Sequence, residues 1–171
     1  DGIAVRLNAM IEDGGVAGRD VAEKNAWGIA PSVAFGLGSK FRAFVSYEHV
    51  EHDDIPDWGI PGWSVKGMVN SDKRARRADR DNFYGLDTDY DDVNTDAILA
   101  RFEYDVADNA TLSNQTRWAR VDRDARYTIP TNYNPATELV TTQTQLYDRV
   151  NTSIANNTNL LAFAEMQRQF G

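Results

Sequence analysis

Cysteine is absent from the 171 residues, and histidine occurs only twice. The lack of cysteine excludes disulfides and thiolate metal sites. No run of about 18 apolar residues occurs, so the sequence contains no candidate transmembrane helix. A search for long apolar runs does not detect membrane barrels, because their strands alternate apolar and polar side chains. Basic residues are too few for a nucleic-acid partner, since 18 Lys and Arg stand against 26 Asp and Glu and the net charge is −8.

The residue patterns that serve catalysis are also scarce. No Ser-His-Asp arrangement, paired-carboxylate spacing or phosphate-binding glycine loop stands out. The acidic run DTDYDD, Asp87–Asp92, offers oxygen ligands for calcium, but Asp92 and Ile98 stand where the EF-hand pattern requires Gly and Glu. We therefore predict an acidic loop there, and a chain that is not an enzyme, with no catalytic residue, no metal site and no cofactor.

Apolar side chains recur at every second position over several stretches, first and most clearly between Trp27 and Leu37. This period of two is typical of strands, whose side chains point to opposite faces in turn. Helical periodicity is poor throughout. The pattern predicts an all-β chain of six antiparallel strands, at Ile3–Glu12, Trp27–Leu37, Phe41 to about His52, about Thr95–Val106, Thr111–Asp122, and between Thr141 and Glu165.

Long and short connections alternate along the predicted strands. They are Asp13–Asn25, Gly38–Lys40, Asp53–Asn94, Ala107–Ala110 and about Arg123–Thr137. In an up-and-down sheet this alternation places every long loop at one end, as in outer-membrane barrels. A structureless loop of about 40 residues is unusual in a compact soluble domain. We therefore predict an up-and-down transmembrane β-barrel wall with long extracellular loops; the alternative is a soluble sheet with one wet face.

The two faces of the predicted sheet differ in character. On the apolar face, Trp27 and Tyr47 lie near the long loops, and Phe35, Phe41 and Tyr104 near the short turns. These positions predict two aromatic girdles at the membrane interfaces. The opposite face carries the polar set Arg6, Asn8, Glu12, Arg42, Glu48, Arg101, Glu103, Gln115 and Arg117. We expect its arginines to pair with its glutamates, and Pro31 to cause a bulge or a missing ladder bond.

Three segments of the sequence resemble a known family, the TonB-dependent outer-membrane siderophore receptors, especially the ferric-catecholate type. They are NAWGIAPSVAFGLGSKFRAFVSYEHVEHDDIPDWGIP at Asn25–Pro61, RDNFYGLDTDYDDVNTDAILARFEYDV at Arg80–Val106, and TLSNQTRWARVDRDA at Thr111–Ala125. They occur in the family's order and look like a hairpin rising into a surface loop, the return of a loop into the next strand, and the following rising strand.

The resemblance implies a barrel of about 22 strands with a plugged lumen, of which six strands form about a quarter. Residues 1–171 are then expected to be a partial receptor β-barrel domain, with the plug domain absent from this chain. The implied function is binding and import of ferric siderophores at the bacterial outer membrane. The implied partners are the ferric siderophore as transported ligand, outer-membrane lipid, and TonB through an N-terminal region missing from this chain.

A ferric catecholate is anionic and aromatic, so its site needs cations for charge and rings for stacking. The longest loop offers both. We therefore predict ligand contacts from Trp58, Trp63, Phe83, Tyr84, Arg74, Arg77 and Arg80. The alternative for the arginines is a solvated loop with internal ion pairs.

Two other functions remain open at this point. One is a different transport barrel, such as a porin or a receptor for another ligand. The other is a soluble β-sandwich that binds glycans, with Trp58 and Trp63 as a stacking platform.

Overall fold

The computed structural model describes residues 2–62, 79, 81–134 and 136–162. Within these ranges no helix is long and apolar enough to cross a membrane. The described residues form six strands, β1 Gly2–Gly15, β2 Glu23–Leu37, β3 Phe41–Asp54, β4 Tyr90–Ala107, β5 Ala110–Asn134 and β6 Leu139–Ala162.

The six strands form one antiparallel sheet in the order of the chain, from β1 to β6. This confirms the predicted all-β, up-and-down architecture. The sheet is open, since β1 and β6 each pair with a single neighbour. The Cα registers run directly across neighbouring strands, so each row of partners presents its side chains on one face.

The predicted long connection over about Arg123–Thr137 is wrong. β5 continues to Asn134 and pairs with β6 up to Asn134↔Leu139, which leaves a connection of residues 135–138. The physical reason is that Tyr127, Thr128, Ile129, Thr131 and Tyr133 favour strands, and β6 supplies the ladder partners of this segment. The longest stretch between two of the described strands is residues 55–89, between β3 and β4, and we refer to it as the longest connection.

The apolar side chains of β1 have no second layer above them. Ile3, Val5, Leu7 and Ile11 are 68%, 78%, 69% and 86% exposed. We call this side of the sheet the outer face and the opposite side the inner face. The hydrophobic residues that are buried in the described ranges are all alanines, Ala22, Ala26, Ala97, Ala119 and Ala125. Such a large exposed apolar surface belongs against an apolar medium or partner, and the described residues contain no second sheet that could form a β-sandwich with it.

Aromatic side chains lie on the outer face at both ends of the apolar band. Toward the long connections, Tyr47, Ile98, Trp118 and Ile154 are successive cross-strand partners, with Trp27 beyond them. Toward the short turns, Phe41 lies opposite Tyr104, and its ring stacks on Phe102 at 6.3 Å. The two predicted aromatic rows are therefore present, and Trp118 adds to the first.

The ion pairs expected between the arginines and glutamates of the inner face are present at Glu103, whereas Glu12 and Glu48 pair with no arginine among the described residues. Arg42 donates to Glu103 at 3.0 Å and forms a two-bond pair with Asp105 at 2.7 Å for each bond. Arg101 also pairs with Glu103. Glu103 is thus the shared acceptor of two neighbouring strands near the short-turn end of the sheet.

Pro31 lies inside β2, opposite Leu7 of β1. Toward β3 the paired register stops at Ile29↔His49 and resumes at Ser32↔Ser46. Because the register is unchanged after the gap, the proline removes a ladder bond without creating a bulge, which was the second of the two expected outcomes.

Candidate ligand-binding site

The seven predicted contact residues divide into two groups. Trp58, Phe83 and Tyr84 lie in the described part of the connection between β3 and β4, whereas Trp63, Arg74, Arg77 and Arg80 lie outside the described residues. Trp58 borders a cavity of about 540 Å³ at the long-connection end of the sheet. Phe83 and Tyr84 are half-buried and are not among the described residues that line this cavity.

The cavity lies where the β1–β2 connection, the end of β3 and the inner face of β4 and β5 meet. Its aromatic wall is a ring contact between Trp58 and Tyr127, with centroids 4.9 Å apart and planes at 32°. Tyr127 is held in turn by β6, because its hydroxyl donates to Gln145 at 3.1 Å. The charged lining comes from Arg19, Lys24 and Arg123 together with Glu23, Asp54, Asp57 and Asp91.

Two of the lining arginines are engaged by carboxylates. Arg123 donates two bonds to Asp91, at 2.7 and 2.6 Å, and this pairing raises the pKa of its guanidinium further above its ordinary value. Arg19 donates two bonds to Asp57, at 2.5 and 2.6 Å. These bidentate ion pairs hold the walls of the cavity in place. Because each carboxylate neutralises its arginine, less positive charge is available to a ligand than the number of arginines suggests.

A further cation lies next to this wall on β6. Tyr147 has the guanidinium of Arg123 5.2 Å from its ring centre and that of Arg149 at 5.7 Å. Arg149 is exposed, and the described residues offer it no carboxylate partner. Aromatic rings beside an uncompensated guanidinium can hold a planar anion through stacking and charge together.

Aspartates form a row on the outer face, just beyond Trp27 in the direction of the long connections. Asp53, Asp92, Asp124 and Asp148 are successive cross-strand partners. Burial raises the pKa of the Asp92 carboxyl, and the neighbouring Asp53 adds to the shift. Like charges directly opposite one another are destabilising, so this row costs the fold stability at neutral pH.

The acidic run Asp87–Asp92 is a loop only up to Asp89, because β4 begins at Tyr90, and Asp89 has a structural role. Asp89 is 4% exposed and accepts bonds from the Thr128 amide at 2.9 Å, the Thr128 hydroxyl at 3.0 Å and the Leu86 amide at 3.1 Å. It therefore fixes the start of β4 to β5. Across the described ranges, no group of three or more His, Asp and Glu side chains is placed to hold a metal ion.

Sequence analysis missed Arg19, Arg123, Tyr127, Tyr147 and Arg149. Arg123 and Tyr127 were missed because the fifth strand was ended at Asp122. Both residues lie at odd-numbered positions, as do the inner-face residues earlier in β5, and this period of two was the available signal. Arg19 carries no such signal, because its partner Asp57 is 38 residues away in the chain.

No family model matches the chain. It is 45% identical over 130 residues, 72% of its length, to the catecholate siderophore receptor Fiu of Escherichia coli K12. It is 32% identical over 132 residues to the probable TonB-dependent siderophore receptor PiuA of Acinetobacter baumannii. The chain belongs to the TonB-dependent siderophore receptors. It spans 17% of the length of Fiu and 18% of that of PiuA, so this receptor segment corresponds to a small part of either relative.

Solved structures place the same receptor segment in the same fold. The closed form of the ferric-catecholate import receptor Fiu of E. coli K12 superposes with a TM-score of 0.83 and 36% identity over 96% of this chain and 25% of that one. The siderophore receptor PiuA of A. baumannii gives 0.81 and 26% identity, over 97% of this chain and 24% of that one. These likenesses confirm the predicted family and barrel-wall fold. Because the relatives are receptors, they also confirm that the chain is not an enzyme.

Proposed function

We propose that the protein is an outer-membrane transporter that binds ferric siderophores and imports them with energy delivered through TonB. The family of its relatives supports this function, and so does the division of the sheet into an apolar outer face and a charged inner face. In a barrel wall the outer face contacts the hydrocarbon of the membrane and the inner face lines a polar interior. Coupling to TonB would use parts of the receptor that lie outside this segment.

The observation that carries the proposal is the cavity bordered by Trp58 and Tyr127, with Tyr147 and Arg149 beside it. A ferric catecholate presents aromatic rings and net negative charge, and this part of the inner face presents rings and a guanidinium that no carboxylate of the described residues engages. We expect the ligand to stack on Trp58 and to place its negative charge near Arg149. Trp63, Phe83, Tyr84, Arg74, Arg77 and Arg80 stay predicted contacts from the same loop.

The remaining parts of the function follow from this proposal. The ferric siderophore is cargo, and no resident cofactor is expected. The surrounding partner is outer-membrane lipid, which would contact the apolar belt between the two aromatic rows. A nucleic-acid partner is not expected, because the net charge of −8 opposes phosphate binding.

Titration of the purified full-length protein with the iron(III) complex of 2,3-dihydroxybenzoate tests the proposed site. We expect Trp58→Leu and Tyr127→Leu each to weaken binding about fivefold, since an aromatic contact contributes about 1 kcal/mol beyond its area. The matched control is Phe102→Leu, which removes a ring from the outer face near the short turns. Unchanged affinity in both cavity variants, or an equal loss in the control, would contradict the proposed site.

A further inference from the structure

The β1–β2 connection holds both arms of the longest connection through one side chain. Arg19 donates to the Asp57 carboxylate on the outgoing arm, from Nε at 2.5 Å and from Nη2 at 2.6 Å. The same Nη2 also donates to the carbonyl of Asn82 on the returning arm, at 3.1 Å. A planar guanidinium is suited to this task, because its donors are fixed in a rigid fork.

We call Arg19, Asp57 and Asn82 the clasp. It is strengthened by its low exposure to water and by backbone hydrogen bonds beside it. The side chains of Arg19 and Asp57 are only 15% and 10% exposed, so water competes weakly for their bonds. Beside them the amide of Asp20 donates to the carbonyl of Asp81 at 3.4 Å, and that of Ile55 donates to the carbonyl of Glu23 at 3.0 Å. The β1–β2 connection and the first residue of β2 therefore contact the base of the longer connection at several points.

The clasp is connected to the cavity through a tight turn. Asp57 accepts the amide of Gly59 at 2.6 Å, and Gly59 has a φ of +79°, a conformation that glycine adopts without strain. Trp58 lies between these two residues, and its ring contacts Tyr127. Fixing Asp57 thus fixes the backbone on both sides of Trp58.

We propose that Arg19 is a positioning residue that holds Trp58 against Tyr127 and so sets the shape of the ligand cavity. Its effect on ligand affinity rests on the proposed function, whereas its effect on Trp58 does not. Arg19 acts through Asp57 and the turn at Gly59, without itself stacking on the ligand.

The test compares three variants of the full-length protein by amide hydrogen exchange and by titration with the iron(III) complex of 2,3-dihydroxybenzoate. Arg19→Lys keeps the positive charge but loses the fork, and Asp57→Asn keeps an oxygen for the Gly59 amide. The matched control is Arg42→Lys, which alters an equally two-pronged pair with Asp105 near the short turns.

We expect exchange in residues 16–22 and 55–59 to rise roughly tenfold in Arg19→Lys and Asp57→Asn, with a matching loss of affinity, and neither change in Arg42→Lys. Unchanged exchange in those segments would overturn the clasp. Faster exchange with unchanged affinity would overturn the positioning role. If the unmodified protein binds no probe, the proposed function fails, and the exchange data alone decide whether Arg19 holds Trp58.

Discussion

Four polar side chains lie side by side in the outer face of β5 and β6, between apolar rows on both sides. Asn114 is the cross-strand partner of Thr158, and Thr116 is that of Asn156. The flanking rows are Leu112↔Leu160 and Trp118↔Ile154. If the outer face contacts hydrocarbon, these four side chains must satisfy one another, because lipid tails offer no hydrogen bonds.

The geometry meets that requirement. Asn114 donates to Asn156 at 3.2 Å and to Thr158 at 2.8 Å, and it accepts from Asn156 at 3.2 Å and from Thr116 at 3.5 Å. Asn156 also donates to Thr116 at 2.6 Å. Side-chain hydrogen bonds measured within membranes contribute about 0.6 kcal/mol each on average. The two bonds that join Asn114 and Asn156 should therefore couple them by about 1 kcal/mol.

A double-mutant cycle measures this coupling directly. Asn114→Leu, Asn156→Leu and the double variant would be unfolded from phospholipid vesicles with urea, using the full-length protein. We expect the double variant to be about 1 kcal/mol more stable than the sum of the single effects predicts, because each single change leaves the other amide without its partner.

The control cycle uses Gln115→Leu and Asn157→Leu, cross-strand partners on the inner face whose side chains share no hydrogen bond. Their effects should add within about 0.4 kcal/mol. Additivity at Asn114 and Asn156 as well would refute the network. A double variant much less stable than the unmodified protein would refute the placement of this face in hydrocarbon, where two leucines are favoured over two amides.

Three further outcomes are expected for the full-length protein. Asp92→Asn should raise the thermal midpoint at neutral pH. Because the pKa of the Asp92 carboxyl is raised in the native state, the native protein binds this proton more tightly than the unfolded chain does, and stability falls as the pH rises from the ordinary pKa through the raised one. A variant whose stability shows the same pH dependence as the unmodified protein would contradict this prediction. Gly36→Ala should cost about 2 kcal/mol or more in urea unfolding, because φ is +69° and an added Cβ would lie 2.1 Å from the Phe41 carbonyl oxygen; an unchanged midpoint would rule this out. Arg149→Gln should weaken binding of the iron(III) complex of 2,3-dihydroxybenzoate roughly tenfold, whereas Arg120→Gln on the outer face should not, and equal affinities would exclude Arg149 from the site.

The alternation of apolar and polar side chains was enough to predict the strands and their faces. It is a local signal, since neighbouring residues of a strand point to opposite sides whatever the strand pairs with. The short turns at Gly38–Lys40 and Ala107–Ala110 then indicated that β2 pairs with β3 and β4 with β5. The same signal weakened where both faces are polar, as at Asn114 and Asn156, and beyond Asp122 it was not followed to the end of β5.

The sequence by itself therefore determined the strand order, the apolar side and the presence of Trp58 in a long connection. Only the tertiary structure decided that Trp58 meets Tyr127, that Arg19 meets Asp57, and that Asn114 meets Asn156. Each of these contacts joins residues from different strands or connections, and Asn114 and Asn156 are 42 positions apart. Such contacts depend on the register of strand pairing and on the path of the connections, which the whole ladder of backbone hydrogen bonds fixes together and no short stretch of sequence encodes.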